Sequence, residues 1–173
     1  MKLVAFGTSS SRHSLNKQLA FYVANQIKNY HIEGLDLNNY TMPIYSVDNE
    51  REMGLPPEAH NFVETIKSAE LLVISMAEHN GSYTAAFKNI FDWATRVDSK
   101  LFLGKKILLL STSPGPRGGI GAFETAAERF PHHGAEIVGK FSLPNFHQNF
   151  SETEGIKNEE LRNKLYTLIN NLN

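Results

Sequence analysis

The sequence predicts a three-layer α/β fold, a five-stranded parallel sheet of order 2-1-3-4-5 with helices on both faces. Three observations carry this expectation. Short apolar runs, KLVAF at 2–6, LLVI at 71–74 and KKILLL at 105–110, read as strands buried on both sides. Segments with helical apolar spacing alternate with them. Loops rich in serine or glycine join the runs to those helices. In an open sheet of this order the winding reverses between strands one and three, and ligands bind at the carboxyl ends of the strands there.

The bounds are simple. The chain has 173 residues, suited to one domain spanning 1–173. A hydrophobic fraction of 41% and a net charge of -1 exclude a disordered tail and a nucleic-acid footprint. The absence of cysteine excludes disulfides, thiol catalysis and cysteine-ligated metal. The N-terminus runs directly into a strand, and no apolar run approaches the roughly 20 residues of a membrane span. A soluble cytoplasmic protein without membrane or nucleic-acid partners is the expectation.

The first strand leads into Gly7-Thr8-Ser9-Ser10-Ser11-Arg12-His13-Ser14. Ser14 is placed to cap a helix whose buried stripe is Leu15, Leu19, Tyr22, Val23 and Ile27, fraying near Asn29. The loop N–H groups, its hydroxyls, Arg12 and the helix dipole all suit an anion. Gly7 stands alone, so the loop is neither a dinucleotide fingerprint nor a Walker loop. Hydroxyls in place of glycines suit a terminal monophosphate. His31–Leu37 reads as the second strand, and 38–57 as a long loop with an apolar knuckle at Pro43-Ile44-Tyr45. Asp48, Glu50 and Glu52 read as a solvated edge, and no metal site is expected.

A helix follows over Pro57–Ser68, with proline in its first turn. The third strand begins at Leu71 and ends in Ala77-Glu78-His79-Asn80-Gly81-Ser82, where Asn80-Gly81 demands a tight turn. Ala86, Phe87, Ile90, Phe91, Ala94 and Val97 then mark an amphipathic helix. The fourth strand, 105–110, opens into Ser111-Thr112-Ser113-Pro114-Gly115-Pro116-Arg117-Gly118-Gly119 and a helix over about 120–130 that Gly134 terminates. Ala135–Leu143 is the fifth strand, interrupted by Gly139. A polar connection over 144–157 precedes a last helix from Asn158 to Leu172.

Three of these loops resemble those of the flavodoxin-like NAD(P)H-dependent FMN reductases, a family that includes azoreductase- and chromate-reductase-type enzymes. Its phosphate loop, G-S-x-R-x-x-S-x-N, is matched at Ser9, Ser14, Leu15 and Asn16; Ser11 stands in the arginine slot, Arg12 one position late, and Thr8 is an insertion. Its flavin loop, P-E-Y-N-x-S, is matched at Ala77, Glu78, His79, Asn80, Gly81 and Ser82, with alanine for proline and histidine for tyrosine. The following helix motif, L-K-N-x-x-D-W, is matched by Phe87-Lys88-Asn89-Ile90-Phe91-Asp92-Trp93. Ser113, Pro114 and Gly115 open its third loop, which ends at Gly118-Gly119.

The resemblance implies bound FMN, with NAD(P)H as co-substrate. The phosphate would lie on Ser9, Ser11, Arg12, Ser14, Leu15 and Asn16, and the ring against Ala77–Ser82, closed by Ser113, Pro114 and Gly115. Either Arg12 reaches the phosphate from its shifted position or the hydroxyls suffice. Hydride would pass from nicotinamide to flavin and on to a quinone, azo compound or second flavin by a ping-pong route, with no catalytic side chain required. A homodimer or homotetramer is expected, with 38–57 at the contact. The competing reading is a flavodoxin-type electron carrier, because Ser9, Ser11 and Ser14 repeat that family's hydroxyl spacing. The near-neutral charge argues against it, since flavodoxins are typically strongly acidic.

Overall fold

The computed structural model describes residues 1–172. β1 (Lys2–Gly7) leads to α1 (Leu15–Ala24), β2 (His31–Gly34), α2 (Val47–Met53), α3 (Pro57–Ser68) and β3 (Leu71–Met76). A small hairpin, β4 (Glu78–His79) and β5 (Ser82–Tyr83), precedes α4 (Ala85–Val97). Then come β6 (Lys106–Thr112), α5 (Ile120–His132) and β7 (Glu136–Leu143). The chain closes with α6 (Phe146–Asn149), a second hairpin of β8 (Phe150–Ser151) and β9 (Gly155–Ile156), and α7 (Glu159–Asn170).

The sheet runs β2-β1-β3-β6-β7, parallel throughout. This is the expected order, because both small hairpins stand outside the sheet. Alternate strand residues face opposite layers. Leu3, Ala5, Leu71, Val73, Leu108 and Leu110 pack with Leu19 and Val23 of α1 and Leu165 and Ile169 of α7. Val4, Phe6, Leu72, Ile74, Ile107 and Leu109 pack with α3, α4 and α5, around Phe62, Phe87, Phe91 and Phe130. No helix among the described residues is long and apolar enough to cross a membrane.

Several boundaries differ from expectation. The 38–57 stretch is not all loop: a 3-10 turn covers Leu37–Asn39, and α2 is a helix capped by the Ser46 hydroxyl, which accepts from the Asn49 N–H. That helix buries no residue, so it has no apolar stripe to read. The segment is held instead by polar pins from the helix motif in α4. Asn89 Oδ1 accepts from the Tyr45 N–H at 2.8 Å, and Trp93 Nε1 donates to the Pro43 carbonyl at 2.8 Å. Glu50, read as part of a solvated edge, is bound by Arg96 and by the Tyr45 hydroxyl. The second strand stops at Gly34, and α1 stops at Ala24, where the Asn25 side chain donates to the Phe21 carbonyl. The 144–157 connection folds into α6 and the β8–β9 hairpin, with Phe146 stacked on Phe150 at 4.8 Å.

The registers bring the loop-bearing strand ends together. Gly7 lies opposite Ser75, and Met76 opposite Ser111. Gly7 lets α1 approach β1: a Cβ there would stand 2.6 Å from the Asn16 carbonyl carbon.

Candidate functional site

An open cleft lies where β1, β3 and β6 end. Its first wall is the loop into α1, lined by Ser9, Ser11, His13, Ser14, Leu15 and Asn16. The opposite wall is Ala77, Glu78 and His79, and Thr112, Ser113 and Pro114 close the side. Ten of the fifteen residues singled out from the sequence therefore line one surface. Of the others, Asn80, Gly81 and Ser82 form the exposed tip of the β4–β5 hairpin, and Gly115 lies just past Pro114. Arg12 lines an adjoining depression with His13, Ser14, Lys17, Gln18, Phe21 and Glu152.

The α1 end of the cleft gathers groups that can donate hydrogen bonds. The Ser14 hydroxyl caps α1, accepting from the Lys17 N–H at 3.2 Å. Its own proton is left to donate, because a hydroxyl both accepts and donates. The first-turn N–H groups of Leu15 and Asn16 have no partner within the helix. Ser9 Oγ accepts from the Ser11 N–H, and the Ser11 carbonyl accepts from the Ser14 N–H, which folds the loop back on itself.

Two polar residues serve the frame. The Asn16 side chain is spent on strand ends: it donates to the Thr112 carbonyl at 3.0 Å and accepts from the Thr112 N–H and the Ser75 hydroxyl. What Asn16 offers the cleft is its backbone N–H. Thr8, the apparent insertion, is fully buried. Its hydroxyl accepts from the Ala77 N–H at 2.8 Å, its carbonyl accepts from the Thr84 hydroxyl at 2.6 Å, and its N–H donates to Ser75. Thr84 also caps α4. One residue thus ties the first loop, the third strand and the α4 N-terminus together, and it occupies the N–H of Ala77.

The opposite wall is fixed from behind. Asn80 and Gly81 have φ values of 53° and 77°, the left-handed pair that a two-residue hairpin turn requires. The Glu78 carboxylate reaches the N-terminus of α5, where the Gly81 carbonyl also lies close. The carboxylate accepts from the N–H groups of Gly121 at 2.5 Å and Ala122 at 3.1 Å, and from Arg117 at 3.2 Å. α5 begins at a left-handed Gly119 with no side-chain cap, so Glu78 caps it from another loop. Burial works against the charged form of Glu78, but the Ala122 N–H, Arg117 and the Gly121 N–H outweigh it and hold the carboxyl below its ordinary value. Gly121 is required for this approach: a Cβ there would sit 2.5 Å from the Gly81 carbonyl oxygen.

Sequence reasoning missed Thr8, His13, Thr112 and Gly121. His13 and Thr112 were hidden by motif matching, and Thr8 and Gly121 depend on partners distant in the chain. The whole arrangement can seat an elongated ligand, its anionic end at α1 and a flat polar body along the hairpin.

The sequence pattern of the NADPH-dependent FMN reductase family matches residues 1–148. A quinone reductase of Escherichia coli (strain K12) is 33% identical over 78 residues, 45% of this chain and 42% of that protein. The NAD(P)H-dependent FMN reductase PA1204 of Pseudomonas aeruginosa is 35% identical over 77 residues, 44% and 41% of the two chains. The chain thus matches about two fifths of the length of these curated relatives. Among solved structures, the flavoenzyme NAD(P)H:(acceptor) oxidoreductase FerB from Paracoccus denitrificans has a TM-score of 0.76 at 22% identity, covering 99% of this chain and 95% of that one. That likeness concerns the fold.

Proposed function

This chain belongs to the NADPH-dependent FMN reductase family, and we propose that it is an FMN-dependent oxidoreductase passing hydride from NAD(P)H to a quinone, azo compound or second flavin in two half-reactions at one site. The observation that carries the reading is the shared cleft. A hydroxyl-lined helix N-terminus and a rigid, exposed hairpin face each other at the strand ends, where a ligand of this shape is expected.

The residues present suit FMN. Ser9, Ser11 and Ser14 hydroxyls with the free N–H groups of Leu15 and Asn16 suit its phosphate. The carboxylate of Glu78 is occupied by α5 and so does not oppose an anion in the cleft. When bound, FMN supplies the centre that accepts and returns hydride. The chain supplies position. Ser14 orients α1 and donates to the phosphate. Ala77–Ser82, steadied by Thr8 and Glu78, backs the ring, and Ser113–Gly115 limits the other side. No side chain is assigned as an acid or base.

The same reading takes 1–173 as one FMN-binding domain working in the cytoplasm, with 38–57 at the contact of a homodimer or homotetramer. There Ile44 is 82% exposed, Val47 54% and Met53 53%, an apolar set of the kind subunit contacts cover. The test is reconstitution with FMN, removal of free flavin, and chromatography of what heat releases. One FMN per chain is expected; FAD, or no flavin, contradicts the proposal.

A further inference from the structure

We propose that His13 is the cation that faces the FMN phosphate, making retention of the cofactor depend on protonation of its imidazole. The inference rests on the FMN reading above and adds a residue that the family pattern does not contain. The motif that this loop resembles has arginine where Ser11 stands here. The shifted Arg12 does not take over the place. The Ser11 carbonyl accepts from the Ser14 N–H at 3.2 Å, so Arg12 and His13 are the two corner residues of one tight turn. Both residues border the outer depression, together with Ser14, but only His13 also lines the cleft, beside Ser9, Ser11 and Ser14.

The surrounding charges favour His13 in this role. Across the cleft stand Glu78 and His79; across the depression stand Arg12, Lys17 and Glu152. Glu78 is bound to Arg117 and the α5 N-terminus, and Lys17 is paired with Asp36 at 2.5 Å. His79 belongs to the hairpin wall, away from the serine loop. Among the described residues, His13 is therefore the one side chain on the serine-loop wall of the cleft that can carry positive charge. A protonated imidazole there donates an N–H to a phosphate oxygen alongside the hydroxyls, and imidazole changes charge between about pH 5 and 8.

The experiment measures the affinities of FMN and riboflavin, which lacks the phosphate, by flavin fluorescence at about pH 5.5 and about pH 8. Wild type, His13→Gln and Arg12→Gln are compared. The phosphate itself gains charge with a pKa near 6 in every protein, so the readout is each chain's preference for FMN over riboflavin relative to His13→Gln. Wild type should show a preference roughly two- to fivefold larger at the lower pH, the scale of a solvent-exposed ion pair, and that excess should vanish at the higher pH. Arg12→Gln should keep the excess. A His13→Gln preference equal to wild type at both values overturns the proposal, as does loss of the excess in Arg12→Gln. If wild type binds neither flavin, the FMN reading itself fails and this inference falls with it.

Discussion

Removing the charge of Glu78 should loosen two loops at once, and its cost can be worked from the contacts. The carboxylate holds the Gly121 N–H at 2.5 Å, the Ala122 N–H at 3.1 Å and Arg117 at 3.2 Å. Hydrogen bonds to a charged group contribute about 1.5–3 kcal/mol each. Arg117 is 68% exposed, so its share is small. Glu78→Gln keeps one acceptor oxygen and loses the charge, for a cost of about 1–2 kcal/mol; Glu78→Ala leaves the α5 N-terminus uncapped, for about 2–4 kcal/mol. In a chain of this size each kcal/mol lowers Tm by roughly 2–4 °C. The assay is thermal unfolding of the flavin-free protein followed by circular dichroism across pH. Because the folded carboxyl titrates below its ordinary value, its contribution is fully present above the unfolded value of about 4.3 and is lost as pH falls through the lower folded one. The gap between wild type and Glu78→Gln should therefore hold from neutral pH down to about 5, shrink as pH falls below the ordinary carboxylate value of about 4.3, and close only once pH is below the folded one. No gap at neutral pH, or an undiminished gap in acid, would refute the latch.

Gly121→Ala should destabilise by about 1–3 kcal/mol, because the new Cβ meets the Gly81 carbonyl and the Glu78 carboxylate; combined with Glu78→Gln its effect on Tm should be less than additive, and full additivity counts against a shared contact. Ser14→Ala should weaken FMN by roughly one to two decades through a lost charged hydrogen bond. Gly115→Val has open space for its side chain and should fold normally, yet at saturating FMN it should slow reduction by NAD(P)H more than Ser14→Ala does. Stopped-flow traces in the reverse order would overturn the division into phosphate and ring loops. Ile44→Glu with Met53→Glu should convert a dimer to monomer in light scattering, and a monomeric wild type at micromolar concentration removes the basis for that contact.

The layers of the fold were legible because the inner strands carry unbroken apolar runs and cannot slip: Leu71–Ile74 and Ile107–Leu110 have no polar residue to expose. α3 was read to the residue, since Pro57 opens it and its apolar stripe ends with it. α2 was not, since a helix that buries nothing has no period. Both small hairpins have strands of two residues, too short for alternation, although Asn80-Gly81 announced the first turn. In the site, the residue types were legible and their tasks were not. Ser14 acts locally, and its capping role could be read from its neighbours. Glu78 acts 43 residues away on α5, and Asn16 acts 96 residues away on β6. Motif matching placed both residues at the ligand without giving their side chains a task, and the fold engages those side chains with α5 and with the ends of β3 and β6. Thr8 looked like an insertion to be tolerated, yet it joins three elements.

The central claim is that one cleft serves both halves of an electron transfer. The most direct measurement is anaerobic stopped-flow on the FMN-reconstituted protein, first with NADPH or NADH and then with a quinone such as benzoquinone. The reduced nicotinamide should bleach the oxidised-flavin band without quinone present, and quinone added afterwards should restore it, each step at a rate at least equal to steady-state turnover. A flavin that stays oxidised with both nicotinamides, or that bleaches but returns only with oxygen, would contradict it.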